Sequence, residues 1–153
     1  METPIYTEKQ KLRYRFLFVI AGVGVMLFGA WQSYQQEPIG ALVMILFAAA
    51  FTVVLWSFTV FNTVITPTEL RFGFPLFRKR FPLAELSVGD VEKIAILAGI
   101  GIHYWSGKWV YNARYGDGVN ITHGRRRYLI GSTNPFELQH KLMEVIPRGV
   151  SRT

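Results

Sequence analysis

The chain contains no cysteine. Disulfide staples, thiolate catalysis and cysteine-ligated metals are therefore excluded, and the absence fits a reducing compartment. A second absence says more. From residue 16 to residue 61 there is no Lys, Arg, Asp or His, and the one acid is Glu37. Two long apolar runs fill that interval, separated by residues 32–40. Water cannot solvate so much contiguous apolar surface cheaply, whereas a bilayer can, so the sequence predicts an integral membrane protein. Neither run carries an ionisable side chain of the kind that ion pathways, proton relays and intramembrane active sites use. That argues against a transporter or an intramembrane protease.

The spans are predicted at residues 14–34 and 39–61. Each has 20 residues or slightly more, which at ~1.5 Å per residue matches a hydrocarbon core of ~30 Å. Tyr14, Trp31, Tyr34 and Trp56 lie near the ends, where aromatic rings favour the interface. Pro38 suits the start of the second helix. Lys9, Lys11, Arg13 and Arg15 precede the first span, and Arg71, Arg78, Lys79 and Arg80 follow the second. The connecting segment has no Lys or Arg, so the positive-inside rule predicts a two-pass protein with both termini in the cytoplasm. A cleaved signal peptide is disfavoured, because Phe28 of Phe28-Gly29-Ala30 occupies a place where cleavage needs a small residue.

Small residues mark packing faces. Gly22 and Gly29 are seven apart, as are Ala41 and Ala48, so each pair lies on one side of its helix and permits close backbone approach. Two readings stand: packing within the hairpin, or docking to a partner membrane protein or a second copy.

The division expected is a cytoplasmic segment at 1–13, a transmembrane hairpin at 14–61, a cytoplasmic domain at 62–147 and a tail at 148–153. About 90 residues are enough for one soluble domain with a core of its own. Leu70, Phe72 and Phe74 alternate with Arg71 and Gly73, which is strand spacing. Strands are predicted at 63–65, 70–74, 79–82, 91–97, 100–104, 109–114, 119–122 and 126–130. Several of the breaks between them carry turn chemistry: Ser106-Gly107, Gly116-Asp117-Gly118 and His123-Gly124. The end reads as helix. Asn134 can cap, Pro135 suits the first helical position, and Glu137 stands three residues after the cap. Leu138, Leu142 and Val145 form an apolar stripe, and Pro147 and Gly149 stop the helix. The fold class expected is a membrane α-helical hairpin plus an α+β, mainly β, domain: a curled sheet or barrel of about seven strands with a C-terminal helix.

The order of elements and several local motifs resemble the bacterial pleckstrin-homology-like domain family. The residues that carry the resemblance are Gly99-Ile100-Gly101-Ile102, Trp109-Val110-Tyr111-Asn112, Gly118-Val119-Asn120-Ile121 and Gly124-Arg125-Arg126-Arg127-Tyr128-Leu129-Ile130-Gly131-Ser132-Thr133-Asn134-Pro135. In that family a Gly-Arg hairpin leads into an Ile-Gly-Ser/Thr strand end, and an Asn/Asp-Pro cap opens the last helix. Many members carry a preceding two-helix anchor. The family is not an enzyme class, so the resemblance implies no catalytic residue and no cofactor. Eukaryotic pleckstrin-homology domains often bind phosphoinositides, but their basic signature is not evident in the first hairpin here.

Other residues carry little chemistry. His103, His123 and His140 are far apart, and none has partners at metal spacing. Asp90 and Glu92 share a face if their strand extends that far, but such pairs are usually solvated. Gly99 and Gly101 lack the spacing and following helix of a phosphate loop. Net charge is +7, from 17 basic and 10 acidic residues. Two basic clusters stand out, Arg78-Lys79-Arg80 and Arg125-Arg126-Arg127. Strand alternation is expected to split each between two faces. They are solvated tips and edges, or contacts for lipid headgroups or an acidic partner. Trp105, Trp109 and Tyr111 more often fill a small β core than stack on bases, so nucleic acid is not an expected partner. The function expected is a non-enzymatic module that scaffolds, assembles or regulates a membrane complex at the cytoplasmic face of a bacterial inner membrane. The alternatives are an accessory subunit of a membrane enzyme or transporter, or an anionic-lipid-binding module. Its partners would be membrane lipids and a membrane protein or a second copy.

Overall fold

In the computed structural model, residues 3–12, 15–35 and 38–146 are described. Expectations placed on Arg13, Tyr14, Pro147, Gly149 and the tail 148–153 lie outside them. The chain divides into two compact units: residues 12–59, and residues 1–11 together with 60–153.

The first unit is a helical hairpin of α1 (Arg15–Tyr34) and α2 (Pro38–Ser57). The stretch Ile39–Ser57 of α2 is long and apolar enough to cross a bilayer by length and composition, while the apolar part of α1, Val19–Tyr34, is shorter. The second helix ends four residues before the predicted 61. Phe58 N–H reaches back to the Val54 and Leu55 carbonyls, and both the Thr59 N–H and its hydroxyl donate to the Trp56 carbonyl, which closes the last turn. Apolar continuity hid this boundary, because the chain passes from a helix straight into a buried strand.

The other unit is α+β, with nine strands in two sheets and a C-terminal helix among its described residues. The first sheet has the order β1 (Tyr6–Lys11), β2 (Val60–Ile65), β3 (Glu69–Phe74), β4 (Phe77–Pro82), all antiparallel. The second comprises β5 (Leu86–Lys93), β6 (Gly101–Trp105), β7 (Lys108–Asn112), β8 (Asp117–His123) and β9 (Arg126–Gly131), in the order β5-β8-β9-β7-β6. Its β7–β9 pair is parallel, with Val110 opposite Leu129, and its other pairs are antiparallel.

Strand β1 corrects the sequence reading. The sequence sets residues 1–13 apart as an N-terminal segment, yet residues 6–11 pair with β2 from Tyr6↔Ile65 to Lys11↔Val60. The hairpin is thus an insertion between two strands that pair with each other. Strand β5 is also displaced from the predicted 91–97. Its register shifts between Val88 and Val91, and such a bulge erases the alternation that marks a strand. The carbonyls left over are taken by side chains: Gln139 donates to Gly89 O at 2.8 Å and Asn120 to Asp90 O at 2.9 Å. The apolar residues that suggested a strand further on, Ile96 and Leu97, lie in a 3₁₀ turn and are exposed.

Alternation explains the core. On β2 it buries Phe61, Thr63 and Ile65, and on β3 it buries Leu70, Phe72 and Phe74. Phe72 meets Tyr111 and Tyr128 of the second sheet edge-on, with ring centroids 5.1 and 6.1 Å apart. Phe81 packs against Tyr128 at 5.1 Å. Rings crossing between the sheets therefore join them face to face. Helix α3 (Pro135–Val145) buries Leu138 and Leu142 against β5 and β8. Its N-cap is Asn134, as predicted, but the Asn134 side chain makes no capping bond to the backbone. Its amide donates instead to the Glu137 carboxylate at 3.3 Å.

Candidate functional site

In the hairpin, the four small residues lie between the two helices. A Cβ on Gly22 would stand 2.5 Å from Leu55 Cδ1, and one on Gly29 would stand 3.1 Å from Met44 Cε. Ala41 and Ala48 are each 4% exposed in a unit that contains only these two helices. Packing within the hairpin uses all four. The outward surface is different. Phe16, Leu17, Ile20, Val25, Phe28, Ile39, Leu46, Phe47 and Val53 are all more than half exposed. Leaving such side chains in water forfeits ~1.5–3 kcal/mol apiece when fully exposed, so the cost is on the order of 10 kcal/mol or more. That rivals the whole stability of a small domain, ~5–15 kcal/mol. A surface of this kind requires an apolar cover.

The outer face of the first sheet is basic. Alternation leaves Lys9 and Lys11 of β1 exposed while Glu8 and Gln10 turn inward. The register sets Arg71 opposite Arg80 and Val64, and it sets Gly73 opposite Arg78 and Asn62. Arg71, Arg78 and Arg80 line one shallow pocket with Asn62, Val64 and Phe72. Arg71 pairs with Glu69. Among the described residues, no ion pair involves Lys9, Lys11, Arg78 or Arg80. Gly73 shapes this face. Its φ is +127°, and a Cβ there would stand 2.3 Å from the Phe77 carbonyl oxygen, so no other residue fits.

Lys79 leaves this face, as alternation predicts, and lines a second pocket with Trp109, Tyr111, Arg126 and Tyr128. Beside it, Arg125, Arg126 and Arg127 line a third pocket together with Tyr104, Gly107 and Trp109. Here the expected split between faces fails. Gly124 and Arg125 form the β8–β9 turn, with Gly124 at φ +58°, so Arg125 escapes the alternation and the long side chains converge. Tyr104 and Trp109 stack edge-on at 5.5 Å and remain partly exposed, which places an aromatic pair against three cations.

A polar constellation escaped the sequence reading. Glu8 is only 8% exposed. Its carboxylate accepts from Ser132 Oγ, from the Thr133 N–H and from Thr133 Oγ1, each at 2.6 Å, and from Tyr6 OH at 3.0 Å. Gln10 donates from Nε2 to Gly131 O at 2.8 Å. Strand β1 is therefore latched to the junction that opens α3, which gives the Gly131-Ser132-Thr133 segment a physical role. The buried face of β1 is polar, so no hydrophobic period announced it. The Tyr6 phenol is pushed above the usual tyrosine range by burial and then by the Glu8 charge.

Glu92 is paired with Lys108 and accepts from Asn120 at 3.0 Å, and Asp90 is exposed. The Lys108 and Asn120 hydrogen bonds hold the Glu92 carboxyl below its ordinary value, the reverse of what a general acid needs. His123 bonds Glu85 at 2.8 Å and stacks on Phe81 at 4.3 Å. His140 pairs with Glu144, one helical turn on. Burial pushes the His103 imidazole down. Gly99 accepts at its carbonyl from Asn112 Nδ2 at 3.0 Å, so it belongs to a side-chain-tied turn. Among the described residues, no three His, Asp or Glu converge as metal ligands. Searches against family models, curated proteins and solved structures return no match to this chain.

Proposed function

We propose that the chain is a membrane-anchored, non-enzymatic binding module that scaffolds, assembles or regulates a membrane protein complex at the cytoplasmic face of a bacterial inner membrane. The observation that carries this reading is the insertion of an apolar hairpin between β1 and β2, which pair residue for residue. Both ends of the hairpin belong to one folded domain. A chain that leaves and re-enters the same pair of strands must cross a bilayer an even number of times, so both termini share a side. Lys and Arg flank the hairpin and are absent from its turn, and that favours the cytoplasm. Two face-to-face sheets closed by a C-terminal helix suit a pleckstrin-homology-like domain. Nine strands and a parallel β7–β9 pair depart from the simple form of that resemblance.

The surface formed by Tyr104, Trp109 and Arg125–Arg127 is the contact for a protein partner. Aromatic rings with arginines are the residues enriched where interfaces concentrate their energy, and their charge selects an acidic segment. Topology reporters at Gln35 and at the C-terminus, with co-purification from native membranes in mild detergent, test the reading. The expected outcome is a cytoplasmic C-terminus, an external Gln35 and a stoichiometric membrane protein that is lost when Arg125, Arg126 and Arg127 become Gln. A C-terminus outside the membrane overturns the arrangement.

A further inference from the structure

The chain leaves the soluble unit at Lys11 and returns at Val60, which are paired neighbours. Only three residues separate β1 from α1, and two separate α2 from β2. What lies at this end of the soluble unit is therefore informative. The register places Phe61, Phe74 and Phe77 here, so the β3–β4 turn is at the same end, and its Leu76 and Phe77 are 56% and 43% exposed. The second sheet contributes another apolar tip. Gln10, one residue before Lys11, donates to Gly131 O. Gly131 abuts Asn112, whose side chain donates to Gly99 O. Gly99 belongs to the loop of Ile96, Leu97 and Ile100, which are 72%, 85% and 41% exposed. Two separate loops thus expose aliphatic and aromatic side chains at the end where the hairpin departs. Around them stand Lys9, Lys11 and Arg78, none of them in an ion pair among the described residues.

We propose that this end is a lipid-docking face whose occupant is the anionic leaflet of the bilayer that holds the hairpin. The inference rests on the membrane reading above and goes beyond it by naming the surface of the folded domain that touches lipid. The Leu76–Phe77 turn and the Ile96–Ile100 loop enter the boundary between headgroups and acyl chains, a layer that interfacial segments penetrate by ~5–10 Å. Lys9, Lys11 and Arg78 face the phosphates. Apolar tips ringed by unpaired cations match that layered chemistry, whereas an aqueous protein surface rarely leaves Leu97 so exposed without purpose.

The lack of native cysteine makes the test direct. Full-length chains carrying Leu76→Cys, Leu97→Cys, Val53→Cys or Arg125→Cys are labelled with an environment-sensitive fluorophore and reconstituted into phosphatidylcholine vesicles, with and without phosphatidylglycerol. Quenching by brominated lipid is then read. The expected result is strong quenching at Val53, clear quenching at Leu76 and Leu97 that grows with phosphatidylglycerol and falls with salt, and none at Arg125. In the background Lys9→Gln, Lys11→Gln, Arg78→Gln, the phosphatidylglycerol-dependent part disappears. If Val53 is quenched while Leu76 and Leu97 behave like Arg125, the docking face is wrong and the anchor stands. If Val53 is not quenched, the anchor reading fails and takes this inference with it.

Discussion

The two units bury opposite things. Among the described residues of the hairpin, the buried side chains are small: Ala30, Ala41, Ala48, Ser57 and Thr59, and no large one is fully enclosed. Many of its bulky residues, Phe28, Leu46 and Phe47 among them, face outward. In the sheet unit, Phe61, Phe72, Phe74, Ile65 and Leu70 are enclosed within 1% exposure, and Lys9, Lys11, Arg78 and Arg80 take outward positions on β1 and β4. The hairpin closes on itself through close backbone approach and leaves its apolar surface to the surroundings. The sheet unit supplies its own apolar medium from aromatic rings. A change to a bulky residue should therefore matter in opposite ways in the two units.

The largest effect tests that contrast directly. Phe72 touches Phe81, Tyr111 and Tyr128 and bridges the sheets. Phe72→Ala is expected to destabilise the sheet unit by ~3–5 kcal/mol. Phe47→Ala, on the outward face of α2, is expected to shift that unit by less than ~0.5 kcal/mol. Urea unfolding of the full chain in detergent, followed by hydrogen exchange of the sheet amides, measures both. Equal effects from the two would erase the distinction.

The next effect concerns the joint between sequence-distant segments. Glu8→Ala takes the acceptor from the buried Ser132 hydroxyl and from the two more exposed Thr133 donors, at a cost of ~1–3 kcal/mol. Thr7→Ala, one residue away on the exposed face, is expected to be near neutral. Loss of amide protection should appear in β1 and at the start of α3 together. Protection lost in β1 alone would mean that the carboxylate does not couple the two.

These residues also show what could be read from the sequence. The hairpin was legible because contiguous apolar runs carry their own signal. Its second boundary was not, since Phe61 is as apolar as the helix before it while belonging to a buried strand. The strand from Glu69 to Phe74 was legible through alternation, and the one from Arg126 to Gly131 through the His123-Gly124 turn before it. Strand β1 was hidden because its buried positions are Glu8 and Gln10, whose partners lie more than 120 residues away. Strand β5 was blurred by its bulge, where Gly89 and Asp90 interrupt the period. For the candidate surfaces, the basic clusters were legible as composition. Their grouping was not: Arg71 joins Arg78 and Arg80 through strand register, and Tyr104 and Trp109 join Arg125–Arg127 through contact between hairpin tips.

A smaller effect belongs to the hairpin. Gly22→Ile drives a branched side chain into the space of Leu55 and Phe51. Overpacking of this kind costs ~1–3 kcal/mol, paid by separating the helices. Spin labels at Val25→Cys and Phe47→Cys should report a longer and broader interhelical distance, while the unfolding of the sheet unit stays unchanged. An unchanged distance would show that the small residues do not set the helix spacing.

The smallest effect is one of pH, and the two groups that carry it, Tyr6 and Glu92, both lie on strands of the sheet unit. Burial, followed by the neighbouring Glu8 charge, raises the Tyr6 phenol above its ordinary value, which is ~10. The folded state therefore holds that proton more tightly than the unfolded state does. The corresponding stability is fully present below pH ~10 and is lost as pH rises beyond it. Glu92 behaves in the opposite sense. Lys108 depresses its carboxyl, so its contribution is present above the ordinary carboxylate value of 4.5 and is lost as pH falls below that. Its side chain is half exposed, so screening keeps this contribution small. Urea titrations between pH 8 and 11 should show a decline in stability that Tyr6→Phe flattens, at the cost of about 1 kcal/mol at neutral pH for the lost hydrogen bond to Glu8. The same substitution should leave the acid limb, where Glu92 titrates, unmoved. A Tyr6→Phe profile parallel to the parent across the alkaline range would mean that the phenol is not held against Glu8, and the polar latch would then rest on Ser132 and Thr133 alone.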